Sequence, residues 1–158
     1  MRRKDREIKS KAEIIDIIEK CQVCRLGLSQ DNLPYVVPMN YGYEYIEDKL
    51  TLYFHCAKEG KKLDIIAKNS LACFEIDCSH KLIKSGEEDW DYSMEYESVM
   101  GNGVISLCAE VEEKLHGAKV LMKQYVKDKE FNFSEDLMET VAILKLEVSE
   151  FTGKRHLR

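Results

Sequence analysis

The feature that most constrains this chain is a change of period between Thr51 and Asn69. Leu50 to His55 is β-prone, Cys56 to Gly60 breaks the run, and Leu63, Ile66 and Ala67 then share one face of a short helical pattern. A strand therefore feeds a basic loop and a helix start. Backbone N–H groups in a first helical turn have no intrahelical partner and lie at the positive end of the dipole, so they suit an anion. Lys58, Lys61 and Lys62 add three cations there. Lysines in that position oppose the dipole at about 0.3–1 kcal/mol each. Two readings account for them: a solvated lysine face, or an anion site.

The segments around this element supply a β fold. Ser10-Lys11-Ala12-Glu13 is a capping box, and Ile14, Ile17, Ile18 and Cys21 follow at helical spacing, predicting a first helix with one apolar stripe. From Val23 the period is two, with Cys24, Leu26 and Leu28 on one face until the turn residues Ser29 to Asn32. Leu33 to Tyr45 is β-prone but holds Pro34 and Pro38, so an edge, bulge or break is expected near Pro38. Glu47-Asp48 predicts a tight hairpin into Lys49 to His55. Leu71 to Asp77 alternates, and Tyr96 to Leu107 is β-prone with Gly101 and Gly103 giving a bend. Cys78 to Met94, with the only tryptophan, Trp90, shows no period and reads as a long surface loop anchored against a partner or ligand. Glu110 to Lys127 is the longest helix, residues 128 to 139 a polar connector with a turn after Ser134, and Thr140 to Phe151 a last strand. Six or seven strands, mostly in hairpin order, predict a mainly β fold with flanking α-helices, an antiparallel barrel.

Composition narrows the function classes. At 158 residues and 44% hydrophobic, without repeats or linkers, the chain is expected to form a single domain over residues 1–158. A net charge of −5 and no extended basic stripe argue against nucleic acid. The charged start is no secretory signal and no run of apolar residues spans a membrane, so a soluble cytoplasmic protein is expected. Of the six cysteines, Cys21 and Cys24 form a C-x-x-C, and Cys73, Cys78 and His80 could complete a zinc site. Cys21 closes a helical pattern and Cys73 lies within a strand, so free thiols and no metal are the expectation.

Four segments carry a family resemblance: Cys24 to Leu28, Pro34 to Tyr41, Leu52 to Leu63 and Phe151 to Lys154, the middle two being the specific ones. They resemble the pyridoxamine 5′-phosphate oxidase-like, FMN-binding split-barrel superfamily, most closely its nitroimidazole-resistance (nitroimidazole reductase) branch. The resemblance implies a six- to seven-stranded antiparallel split β-barrel and a homodimer that binds FMN in clefts between subunits. It implies that Met39, Asn40 and Tyr41 lie along the flavin ring, and that His55, Lys58, Gly60, Lys61 and Lys62 lie at the ribityl chain and phosphate. Ser98 is implied to reach the site from a neighbouring strand. His55 is the candidate catalytic residue, as proton donor or as a seat for the flavin. The chain lacks the longer C-terminal region and arginine pattern of the pyridoxamine phosphate oxidases proper, which argues against pyridoxal phosphate synthesis. The expected activity is FMN-dependent reduction of a small nitroaromatic-like acceptor; the alternative is a flavin- or haem-holding module without turnover.

Overall fold

The computed structural model describes residues 2–157. After a 3-10 turn at Lys4–Arg6 the chain forms β1 (Glu7–Ile8), α1 (Lys11–Lys20), β2 (Cys24–Gln30), β3 (Leu33–Met39), β4 (Gly42–Ile46) and β5 (Lys49–Cys56). There follow α2 (Lys61–Lys68), β6 (Leu71–Lys84), β7 (Tyr92–Leu107), α3 (Val111–Tyr125), α4 (Glu135–Met138) and β8 (Ala142–His156). The strands make one antiparallel sheet in the order β3-β2-β6-β7-β8-β5-β4, and the two-residue β1 adds to β8 as an eighth strand.

One connection sets the shape. β3 and β4 are the two edges of the sheet, yet only Asn40 and Tyr41 separate them. The three Cα–Cα steps from Met39 to Gly42 reach no more than about 11 Å, so the edges meet at that corner and the sheet must curl. β3 and β4 do not pair, and the result is a split barrel. Both prolines lie in β3, where a missing N–H is tolerated because the strand is an edge. On the opposite wall the pairing of β7 with β8 shifts register at Asn102 and Gly103, where Ser149 of β8 is the extra residue of a bulge. A Cβ at Gly103 would stand 2.0 Å from the Glu147 carbonyl oxygen, so only glycine allows that approach.

The interior is filled by alternate residues of the strands, Leu26, Leu52, Phe54, Phe74, Ile76, Ile105, Leu144 and Leu146 among them, and is capped by Ile14, Ile17 and Ile18 of α1. α3 covers the outside of β4, β5 and β8, where Tyr53, Cys108, Ala118, Met138 and Ile143 form a second, smaller core. Ile143 is buried for that reason although it faces away from the barrel interior. On α2 the buried residues are Leu63, Ile65 and Ile66; Ala67 is exposed, contrary to the face expected from spacing.

The stretch from Cys78 to Met94 is not a long loop. β6 runs on to Lys84 and β7 starts at Tyr92, so only residues 85–91 are irregular. The period-two signal comes from a core on one face of a strand, and this hairpin has solvent on both sides. The alternation was therefore absent from the sequence while the strands were present.

Candidate functional site

β5 carries the chain from the buried Phe54 to an exposed His55 and a half-buried Cys56, and residues 57–60 lead to α2. Gly60 is the N-cap, at φ +137°, a conformation that strains any other residue, although the space beside it is open. Its carbonyl accepts from the Leu63 N–H at 2.8 Å and the Asp64 N–H at 3.3 Å. No side chain caps this helix.

The three lysines do not act together. Lys58 Nζ donates to the carbonyl of Glu139 at 2.8 Å, which ties the loop to the end of α4. Lys61 Nζ lies 5.0 Å from the Tyr35 ring centroid. Lys62 is half-buried, and its charge opposes the burial that pushes the Cys56 thiol up. Gly60, Lys61 and Lys62 thus form the helix start proper. Beside it lies a cleft of about 320 Å³ lined by Gln30, Asp31, Leu33, Tyr35, Lys61 and Ile65. His55 stands on another pocket of about 150 Å³, whose walls are Leu121 and Met122 of α3, Phe133, Leu137 and Met138 around α4, and Ile143.

Met39, Asn40 and Tyr41 occupy the corner between the sheet edges. Met39 is buried opposite Cys24, and Tyr41 is fully buried with its hydroxyl donating to the Ile18 carbonyl at 2.5 Å. The Tyr41 side chain is thus committed to the core, where burial pushes the phenol well above its ordinary range. Asn40 is exposed, and its amide donates to the Gln22 carbonyl at 3.0 Å and the Tyr125 hydroxyl at 3.3 Å. That hydroxyl accepts from the Tyr41 N–H at 2.9 Å and donates to the Gln22 carbonyl at 2.7 Å. Tyr125, whose spacing marks only an apolar helix position, therefore fixes the corner.

Ser98 lies elsewhere. It pairs with Asp77 on β6 and Lys154 on β8, whereas His55 pairs with Ile143 on β8. From Ile143 to Lys154 is about 36 Å along an extended strand. One chain does not bring Ser98 to the helix start. Sequence spacing also misses the aromatic cleft at Tyr35 and the apolar wall from Phe133 to Met138. The signal for the wall was the pair Phe131 and Phe133 inside an otherwise polar connector.

Two carboxylates are buried among the described residues, Glu95 and Glu97, and Glu97 is the deeper. It accepts from Arg155 Nε at 2.6 Å and the Ser79 hydroxyl at 2.9 Å, and Lys20 lies 3.6 Å away. Burial alone would raise its pKa, but the Ser79 and Arg155 hydrogen bonds and the Lys20 charge hold it below the usual carboxylate range. Among the described residues no cluster of three or more His, Cys, Asp or Glu side chains could hold a metal ion, and no helix is long and apolar enough to cross a membrane.

The sequence and the fold both match known proteins. The family model for pyridoxamine 5′-phosphate oxidase matches residues 10–155. The chain belongs to that family. Within it the nitroimidazole-resistance branch is supported by the crystal structure of a proposed 5-nitroimidazole antibiotic resistance protein from Bacteroides thetaiotaomicron. That protein is 35% identical, with a TM-score of 0.82 over 94% of this chain and 86% of the other. The FAD- and haem-binding protein from Mycobacterium smegmatis has a TM-score of 0.83 at 14% identity, over 97% of this chain and 74% of its own. A flavocytochrome from Azotobacter vinelandii has a TM-score of 0.81 at 14% identity, over 100% and 72%. These last two share the fold. No curated protein matches the sequence.

Proposed function

We propose that this chain binds FMN at the start of α2 and reduces a small nitroaromatic-like acceptor. The observation that carries the reading is the helix start itself. Gly60 lacks a capping side chain, and two lysines stand where the dipole disfavours them. An anion there would satisfy the backbone donors and both cations at once. Bound FMN would supply the electron or hydride chemistry, and the protein supplies position and shielding from water. Lys61 and Lys62 would hold the phosphate, and the Tyr35 cleft gives an aromatic wall beside it. Asn40 and the backbone at the barrel corner are available to the polar edge of the ring; the Tyr41 side chain is not.

His55 would face the acceptor, because it is exposed at the rim of a pocket whose other walls are apolar. Its imidazole can hold or pass one proton there. A homodimer belongs to the proposal. Ser98 can meet the helix start only from a second copy, since within one chain the two are far apart along β8.

The test is the spectrum of the purified protein, followed by reoxidation of the reduced, flavin-loaded protein with a nitroaromatic acceptor against oxygen alone. A yellow protein reoxidised no faster by the nitro compound is a flavin holder and not a reductase. For His55→Gln, a proton-donor role predicts retained FMN affinity with a reoxidation rate about 10²-fold lower. A seating role predicts weaker FMN binding with the rate of the bound fraction intact.

A further inference from the structure

Two of the six cysteines meet where α1 closes against the barrel. Cys21 is the C-cap of α1 and is buried at the end of the helix. Cys78 lies on β6, half-buried, and packs on the same core. Its partner across the ladder is Glu97, and Lys20, the residue before Cys21, reaches that carboxylate at 3.6 Å. The end of α1 therefore sits directly over this point of β6. The Cys78 thiol is within hydrogen-bonding reach of the Cys21 thiol.

Neither cysteine is held rigidly on both sides. β2 leaves β6 after Cys24 opposite Ile76, so the edge of β6 is open at Cys78. The pairing of β6 with β7 shifts register between Cys78 and Lys81, and Ser79 stands at φ +61°. Residues 21–23 lie between the last turn of α1 and the start of β2. Both backbones can make the small adjustment that disulfide geometry asks for. The two thiols differ in access. Cys78 is partly open to solvent and meets an oxidant first, whereas Cys21 is 3% exposed and burial pushes its thiol up, which keeps it protonated until a partner sulfur is at hand. An accessible cysteine beside a shielded second one is the arrangement of a reacting and a resolving thiol.

We propose that Cys78 and Cys21 are a redox modification site, at which hydrogen peroxide closes a disulfide that fastens α1 to β6. The Cys78 thiolate attacks one peroxide oxygen and the O–O bond breaks. The sulfur is oxidised to the sulfenic acid, and hydroxide leaves with the electron pair and takes up the proton the thiol gave up. The Cys21 sulfur then bonds to the Cys78 sulfur, the S–O bond breaks, and the Cys21 proton departs with the hydroxyl as water. Two thiols and one peroxide give one disulfide and two waters. The bond also fixes the barrel corner. The Cys21 carbonyl accepts from Gln124 Nε2 at 3.1 Å and from the Tyr41 hydroxyl at 3.3 Å, and the next residue, Gln22, holds Asn40 and Tyr125. The inference stands apart from the flavin reading, since neither thiol belongs to the helix start of α2.

The test treats the full, unmodified chain with hydrogen peroxide, with free cysteine in a parallel tube as the measure of oxidation. The chain is expected to lose two hydrogens by intact mass, to yield a peptide pair joining Cys21 and Cys78 in a non-reducing digest, and to return to the reduced mass with dithiothreitol. Closing a loop of this length should raise Tm by roughly 5–15 °C. Cys78→Ala should show neither the mass loss nor the shift. Cys21→Ala should stop at a sulfenic acid on Cys78 that dimedone captures. Cys24→Ala should behave as the unmodified chain, which separates this pair from the C-x-x-C of Cys21 and Cys24. The peptide map needs no variant, so it stands even where a substitution prevents folding. Thiols that stay reduced after free cysteine is oxidised, a disulfide in any other pair or between two copies, or a Cys21–Cys78 bond that leaves Tm unchanged or lower overturns the proposal.

Discussion

The helices α1 and α2 begin in opposite ways. At α1 the Ser10 hydroxyl accepts from the Glu13 N–H, and the first turn carries a carboxylate that suits the dipole. Glu13 does not turn back to complete a capping box; its carboxylate accepts from Arg155 at 3.0 Å, and Arg155 in turn holds the buried Glu97. Ser134 caps α4 in the same manner as Ser10 caps α1. At α2 there is a glycine in place of a capping side chain, and Lys61 and Lys62 stand in the first turn with Asp64, where α1 has the single Lys11 with Glu13. A helix start satisfied by its own chain is structural. The uncapped, basic start of α2 is the one that the proposed phosphate would complete.

The largest effect should separate the two lysines of the helix turn from the third. Lys61→Met with Lys62→Met is expected to lower FMN affinity by about 10²–10⁴-fold, from charge-assisted bonds of about 1.5–3 kcal/mol each. Riboflavin, which lacks the phosphate, should lose no more than a few-fold. Lys58→Met alone should change FMN binding little, because that ammonium already donates to the Glu139 carbonyl. Equal losses for FMN and riboflavin in a titration would put the phosphate elsewhere and erase the contrast between the helices.

The next effect belongs to α1. Glu97 has a folded pKa below its ordinary value, so its ionised form adds stability that is complete above the ordinary carboxylate range and is lost as pH falls through the folded pKa. Arg155→Ala leaves a buried carboxylate with only Ser79 and Lys20. It should cost about 3 kcal/mol at neutral pH, the lower end for a broken buried pair. The fall of Tm with pH, measured from about pH 6 to 3 across the ordinary carboxylate range, should be shallower in the variant, because a Glu97 no longer held below its ordinary pKa takes up less of its proton on unfolding. FMN affinity at neutral pH should be unchanged. Superimposable acid limbs would mean that Arg155 does not hold Glu97 in solution.

The strands with one buried face were legible because alternation is a local record of a single core: Cys24, Leu26 and Leu28, or Ala72, Phe74 and Ile76, are buried as their spacing predicts. So were the Ser10 cap, α3 and the strand-to-helix change at Gly60. What the sequence hid depends on which distant element covers a position. Ile65 and Ile143 are buried by neighbours that spacing does not reveal, and Tyr41 is drawn into the core by the Ile18 carbonyl. Lys58 looks like its two neighbours in sequence and differs only because Glu139 is near. The ribbon of β6 and β7 left no period because neither face meets this chain's own core.

The smallest effects have opposite signs at the two helix starts, which makes them the sharpest check on the comparison. Ser10→Ala removes a cap and should cost about 1 kcal/mol, or about 2–4 °C in Tm for a chain of this size, with FMN affinity unaltered. Lys61→Glu replaces a cation by an anion in a first turn. In the flavin-free protein this relieves the dipole and should raise stability by about 0.3–1 kcal/mol, since Lys61 is exposed and makes only the distant contact with the Tyr35 ring. With FMN present the order reverses: the native chain gains stability from the bound ligand, whereas the variant, with a carboxylate facing the phosphate, gains little. Melting curves of both proteins with and without FMN read this crossing directly. If Lys61→Glu destabilises the flavin-free protein, the lysine serves the fold of α2, and the helix start is not held basic for a ligand.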